Sequence, residues 1–298
     1  MSGAPVLVTG ASGFIGRQVV KKLEKAGQPL RLLDVQFERE HPRHDIYEGS
    51  IADPKLVQRA VDGVGGIIHL AHLIDIDGER PFESVSVNIV GTANVFQSAM
   101  ETGCRRVVWG SSVMTYAPDR SGGPVSEEHQ QAPETFYGAG KLYLEKMARS
   151  YRSLGLETVG LRLTTVFGPE RDRGGAASFV VDLFRKPVAG EPVSVAEGDR
   201  RVDMVYGPDA AAACVLALQS PRKLNAFYNV GGFSTRVRDL ANEVRRILPD
   251  ACIGVADGGI NPWPESVDCS RSRKDFGYIA QYDLKTSVSH YLSCLTRK

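Results

Sequence analysis

Short apolar runs bounded by turn residues alternate, over the first half of the chain, with segments whose apolar positions recur at helical spacing. That rhythm is the mark of βαβ units stacked into a parallel sheet. Val6-Leu7-Val8 runs into a glycine loop, and Phe14 to Ala26 then reads as a helix ended by Gly27. Leu30 to Leu33 is the next strand, closed by Asp34. Asp53-Pro54 opens a second helix, with the aspartate as N-cap and the proline as its first helical residue. Gly66 to Leu70 and Arg106 to Trp109 read as buried strands separated by a helix over Val85 to Thr102. A helix over Phe136 to Leu154 leads to a strand from Glu157 to Leu163. Beyond Gly168-Pro169 the alternation weakens. The pattern there predicts a short strand at Val193 to Val195, helices at Asp209 to Gln219 and Val237 to Leu248, and a loop from Gly258 to Pro264. The fold class is α/β, a doubly wound parallel sheet followed by a smaller α/β domain.

The loop Thr9 to Gly16 carries glycines at GxxGxxG spacing between a strand and a helix. Glycine allows a tight turn and a close backbone approach, and the helix start offers free N–H groups and partial positive charge to a pyrophosphate. Asp34 ends the next strand, about 20 residues on, where a carboxylate accepts hydrogen bonds from two ribose hydroxyls and repels a 2′-phosphate. No cation follows it until Arg39, so NAD is favoured over NADP. Residues 1–168 are thus the dinucleotide-binding region, with a later stretch near 200–220 returning to it. Residues 169–298 are mainly the substrate-binding domain.

Tyr137-Gly-Ala-Gly-Lys141 places a phenol and an ammonium one helical turn apart on one face. A tyrosine ionises near ~10, so a phenol acting as a base near neutral pH needs a shift of roughly 3 units, and a neighbouring lysine pushes that way. Ser111-Ser112 follows a strand at the edge where open α/β sheets bind ligands, so a hydroxyl there could hold a substrate oxygen beside Tyr137. Gly138 and Gly140 are costly inside a helix. They either admit another backbone or ligand, or lie in a loosely wound first turn.

Composition narrows the classes. Lys plus Arg at 36 against Asp plus Glu at 35 leaves a charge of +1, with no long block of one sign, so nucleic-acid and membrane-surface roles have no electrostatic support. Five widely spaced cysteines without a CxxC read as reduced thiols in the cytoplasm. No leader pattern opens the chain, and no apolar stretch approaches the ~20 residues of a membrane span. His69 and His72 lack a third ligand, so no metal is expected.

These motifs together resemble the extended short-chain dehydrogenase/reductases, the NAD-dependent epimerase/dehydratase family. TGxxGFIG stands at Thr9 to Gly16, HLA at His69 to Ala71, NxxGTxN at Asn88 to Asn94, and the SSxxxYG-type segment at Ser111 to Tyr116. YxxxK stands at Tyr137 to Lys141 and the LRxxxVYGP segment at Leu161 to Pro169. The resemblance implies a Rossmann domain holding NAD and a small domain over the substrate. In it Tyr137 is the general base or acid, Lys141 also anchors the cofactor ribose, and Ser112 orients the hydroxyl. Gly10, Gly13, Phe14, Ile15 and Gly16 would surround the pyrophosphate, Leu70 and Ala71 would line the dinucleotide path, and Ser50 and Ile51 would meet the adenine. It further implies a homodimer through the helices Val85 to Thr102 and Phe136 to Leu154.

Val113 and Met114 stand where dehydrating members carry acids, which leaves epimerases and simple dehydrogenases. Nucleotide-sugar epimerases commonly have an Asn where this chain has Thr165, and an Arg where it has Val202, with Arg201 one place upstream. Thr165, Arg173 and Arg201 are therefore the candidate substrate residues, Arg171 to Arg173 either meeting a phosphate or covering a loop. The substrate is expected to be a sugar or nucleotide sugar. A nucleotide-sugar epimerase and a net dehydrogenase of a secondary alcohol both fit.

Overall fold

The computed structural model describes residues 3–38, 41, 43–119, 123–171 and 178–297. Six strands come first: β1 (Val6–Thr9), β2 (Leu30–Asp34), β3 (Asp45–Glu48), β4 (Gly66–His69), β5 (Val107–Ser112) and β6 (Thr158–Leu163). Then follow β7 (Thr165–Phe167), β8 (Val193–Val195), β9 (Arg201–Tyr206), β10 (Phe227–Val230), β11 (Phe233–Arg236) and β12 (Ile253–Val255). The helices that matter here are α1 (Phe14–Lys25), α2 (Pro54–Val61), α3 (Pro81–Ser84), α4 (Gly91–Glu101), α5 (Phe136–Ser153), α6 (Ser178–Val188), α7 (Gly207–Gln219) and α8 (Val237–Ile247).

The main sheet has seven strands in the order β10-β6-β5-β4-β1-β2-β3, every neighbouring pair parallel. Successive side chains of a strand face opposite layers, so β1 sends Val6 and Val8 into the core shared with α1 and α7, and Leu7 into the core shared with α2, α4 and α5. Burial on both faces is why β1 and β4 read as unbroken apolar runs. A three-stranded sheet, β11-β9-β7, and the β12-β8 pair build the smaller layer with α6 and α8 over a third apolar core.

Local chemistry sets the boundaries. Asp53 accepts the Lys55 and Leu56 N–H groups at 2.9 and 3.3 Å, capping α2 as its sequence predicts. Three expectations need correction. The stretch over Val85 to Thr102 is not one regular helix: the chain turns helical at Pro81, passes through a π-helical turn at Val85–Val90 and continues as α4. The stretch near 200–220 returns only in part, since β9 belongs to the small sheet while α7 packs on the main one, and β10 is the strand that comes back. The weak pattern after Pro169 hid α6, whose last turn contains Pro187. No helix among the described residues is long and apolar enough to cross a membrane.

Candidate functional site

Strand order reverses between β1 and β4, and ligands of open α/β sheets bind outside the carboxyl ends of strands at such a point. Gly10 follows β1 at φ +69, and a Cβ there would lie 2.6 Å from the Ala71 nitrogen and 2.7 Å from the Leu70 carbonyl carbon. Both the turn and the crossing of the Leu70-Ala71 backbone therefore require glycine. The Gly13 N–H donates to the Gly10 carbonyl at 3.0 Å, and a Cβ on Gly16 would collide with that carbonyl. No side chain caps the start of α1, so its first-turn N–H groups are left for an anion. This glycine cradle fits the pyrophosphate of a dinucleotide. Phe14 and Ile15 turn their side chains toward the core, Phe14 lying close against Gly168 and Gly207, so what they can offer a phosphate is backbone N–H.

At the end of β2, Asp34 accepts the Ser12 N–H at 2.8 Å and the Val35 N–H at 2.7 Å. Burial raises its pKa, opposed by those hydrogen bonds and by Arg17. Ser50 accepts the Ala52 N–H at 3.1 Å. Ile51 is 2% exposed with its side chain in the core, so its reach toward an adenine is through the backbone.

The Asn88 to Asn94 motif ties these loops together. Asn88, in the π turn, accepts from the Leu73 N–H at 2.8 Å and donates to the Leu73 carbonyl at 2.9 Å. His69 bridges Thr9 (2.7 Å) and Thr92 (3.0 Å), and burial, with Lys141 adding to it, lowers its pKa to about 3, so the imidazole is neutral. Asn94 donates to the carbonyl of Ile51 at 3.0 Å. The end of β1 and the loops after β3 and β4 are thereby held from the π turn and α4. No group of three or more His, Cys, Asp or Glu among the described residues could hold a metal.

The reactive end sits between β5 and α5. Thr135 caps α5 through the Gly138 N–H at 3.0 Å, and a Cβ on Gly138 would run into the Met114 carbonyl, so this glycine lets the helix start press on the loop after β5. Gly140 meets nothing within 4 Å. The close approach anticipated for the pair therefore belongs to Gly138. Lys141 donates to the Gly110 carbonyl at 2.7 Å and lies 5.5 Å from the Tyr137 ring centroid. Ser112 accepts the Met114 N–H at 3.1 Å, and its side chain works to lower the pKa of the Tyr137 phenol. His72 packs edge-on against that ring, 5.4 Å between centroids.

The electrostatics differ from the expectation that Lys141 lowers the phenol. Burial pushes Tyr137 up to about 12, and the groups working downward are Ser112 and the Arg171 guanidinium. Burial pushes Lys141 down to about 7, with Glu145 opposing. The protein alone therefore holds a protonated phenol, suited to donating a proton to a carbonyl, beside an amine poised to gain or lose its charge near neutrality.

Between about pH 7 and about pH 10.5 the unfolded chain keeps a proton on this lysine that the folded chain has released, so this group's contribution to stability rises with pH across that window. Lys141→Met should flatten that rise, on the order of a few kcal/mol, in denaturant unfolding of cofactor-free protein at stepped pH. An unchanged pH profile would mean that the lysine is not desolvated.

Sequence reasoning missed the groups behind this centre. Glu145, 1% exposed, accepts Ser111 Oγ (2.7 Å), Gln131 Nε2 (2.6 Å), and Arg162 Nε (2.8 Å) and Nη2 (2.7 Å). Arg162 also donates to the Tyr116 hydroxyl at 2.7 Å, which donates to Asn229 at 2.7 Å. The available signal was a lone arginine inside the apolar strand Thr158–Leu163, since such a charge is rarely buried unpaired. Trp263 was another omission: it belongs to the cluster of Val113, Met114, Tyr116, Val125 and Val267 against which Tyr137 packs.

Of the substrate candidates, Thr165 pairs with Met204 across β7 and β9, and Arg201 lies three residues before Met204. The odd offset puts the two side chains on opposite faces of the small sheet, so they do not form one site. Arg173 lies outside the described residues.

The chain is similar to known proteins in sequence and in fold. The model of the NAD-dependent epimerase/dehydratase family matches residues 6–231. The bovine mitochondrial L-threonine 3-dehydrogenase is 27% identical over 97% of this chain and 82% of its own length. The Arabidopsis thaliana UDP-glucuronate 4-epimerase 1 is 27% identical over 97% of this chain and 76% of its own. The structure of MoeE5 with UDP-glucuronic acid and NAD superposes with a TM-score of 0.88 at 24% identity, covering 98% of this chain and 99% of that one.

Proposed function

We propose, for a chain that belongs to the NAD-dependent epimerase/dehydratase family, that it epimerises a nucleotide sugar at one secondary alcohol carbon. The glycine cradle of Gly10, Gly13 and Gly16 with Asp34 would hold NAD, which would supply the hydride acceptor and donor. Tyr137 exchanges a proton with the substrate oxygen, donating it when the keto intermediate is reduced, Ser112 orients that oxygen, and Lys141, an amine poised to gain its charge near neutrality, is a donor for the cofactor ribose.

The observation that carries the nucleotide part is Arg201 directly opposite Arg236 in the β9-β11 ladder, both exposed. Like charges placed opposite one another destabilise a sheet, and a diphosphate is a natural partner for two guanidiniums. Their face also bears Asp203, which accepts the Val267 N–H at 3.0 Å, and Val267 leads into the cluster against Tyr137. Arg201→Ala and Arg236→Ala should each raise KM for a nucleotide sugar about 10- to 100-fold, with smaller effects on kcat. Unchanged KM in both would remove the diphosphate from the reading.

A second reading, net dehydrogenation, is favoured by Thr165 in place of the usual epimerase Asn. Incubation with UDP-glucose or UDP-glucuronate, followed by proton NMR and absorbance at the NADH band, separates the two. A new sugar epimer with flat absorbance is expected. NADH accumulating with substrate consumption would establish the dehydrogenase.

The homodimer reading is supported by large apolar side chains left exposed on the paired helical segments: Phe82, Val85 and Val90 on one, Phe136, Tyr143 and Leu154 on the other. Burying such a patch against a second copy removes it from water. Sedimentation at micromolar concentration should show a dimer; monomer alone would reject it. Five unpaired cysteines support a reducing, cytoplasmic setting.

A further inference from the structure

The segment between β12 and Val267 is anchored at both ends by hydrogen bonds to the smaller layer. The Ala256 N–H donates to the Val195 carbonyl (3.0 Å) and the Gly258 N–H to the Asp199 carboxylate (2.8 Å), fixing its start. Ser234 Oγ donates to the Glu265 carbonyl (2.9 Å) and the Val267 N–H to Asp203 (3.0 Å), fixing its end. The residues between lead from the Arg200 end of β9, where a Cβ on Gly259 would lie 3.0 Å from that of Arg200, to the cluster around Tyr137.

Asn261 lies between these two sets of anchors. It is 3% exposed, and neither its Oδ1 nor its Nδ2 has a hydrogen-bond partner among the described residues. A buried amide with both ends unmatched is destabilising and rare, and a leucine of similar size would avoid the cost. Two residues on, Trp263 is 8% exposed and packs in the cluster that Tyr137 joins.

An amide presents a donor and an acceptor side by side, and its complement is a group that offers both at the same spacing. Neighbouring hydroxyls of a pyranose do so, and the apolar face of such a ring suits a nearby indole. Resting on the nucleotide-sugar reading, we propose that Asn261 is a substrate-contacting residue that hydrogen-bonds a vicinal pair of sugar hydroxyls held beside Tyr137. The unmatched amide is then completed by the substrate, and it contributes to choosing among sugars by which hydroxyl pair reaches it.

Asn261→Leu tests this with UDP-glucose and UDP-glucuronate as probes. For whichever the wild type turns over, KM should rise about 10- to 100-fold with a smaller change in kcat, NAD content should be unchanged, and Tm should equal or exceed that of the wild type. Unchanged KM overturns the inference. So does a fall in Tm or a failure to fold, because the amide would then be satisfied within the protein, by an internal water for example. Asn261→Asp, which keeps the shape and the acceptor but not the donor, should lie between the two in KM. If the wild type neither binds nor converts either sugar nucleotide, the functional reading itself fails, and the inference with it; conversion by the wild type with an indifferent Asn261→Leu defeats the inference alone.

Discussion

Tyr137→Phe should lower the rate of hydride transfer by about 10²- to 10⁴-fold while NAD affinity stays nearly unchanged. The substitution removes one hydroxyl and keeps the ring, which packs edge-on with His72 and against the Met114 cluster, so the fold around the site has no reason to move. What disappears is the hydroxyl proposed to exchange a proton with the substrate oxygen, on a phenol whose pKa Ser112 works to lower. Stopped-flow absorbance of a single turnover, with NAD affinity measured separately by fluorescence titration, isolates that loss. Near wild-type turnover would mean that the proton passes through another group.

The largest effect on stability is expected from Glu145→Ala. Glu145 and Arg162 are each 1% exposed, and the carboxylate is the main counter-charge of a guanidinium that otherwise rests over the rings of Tyr116 (4.7 Å) and Phe227 (5.1 Å). Removing one partner of a buried pair leaves the other desolvated, at a cost of about 3–5 kcal/mol in unfolding free energy. The double variant Glu145→Ala with Arg162→Met should recover much of it, because no orphaned charge remains. Denaturant unfolding of the single and double variants measures the coupling. A loss below ~1 kcal/mol in Glu145→Ala would show that water reaches Arg162 freely.

Much of the geometry of the candidate cofactor cradle was legible because it is local. Gly10, Gly13 and Gly16 are dictated by a turn only a few residues long, and Asp34 by the end of the neighbouring strand. Tyr137 and Lys141 share a helix face by spacing alone. The roles of Asn88, Thr92 and Asn94 were not legible as mechanics: each acts on a loop distant in sequence, and only the fold shows that they brace Leu73, His69 and Ile51. The same holds for ionisation. Spacing places an amine beside a phenol, but how far burial moves each depends on what covers them, and here desolvation dominates both.

The substrate side was the least legible. Thr165 and Arg201 were candidates from motif positions alone, and that β7 and β9 are neighbouring strands in which an odd offset turns their side chains to opposite faces was visible only in the fold. Arg236 and Asn261 sit in segments without regular pattern, and their relation to Arg201 and Tyr137 depends on the antiparallel register of β11 and on the anchors of the segment ending at Val267.

The central claim, epimerisation through a retained cofactor, is tested most directly by counting cofactor. An epimerase needs its NAD held through oxidation, rotation and reduction of the sugar, whereas a net dehydrogenase must exchange it at each turnover. Protein purified without added cofactor should, on denaturation, release close to one NAD or NADH per chain. Release near zero, with binding restored by titration of NAD, would contradict the account and make the protein a dehydrogenase of a secondary alcohol.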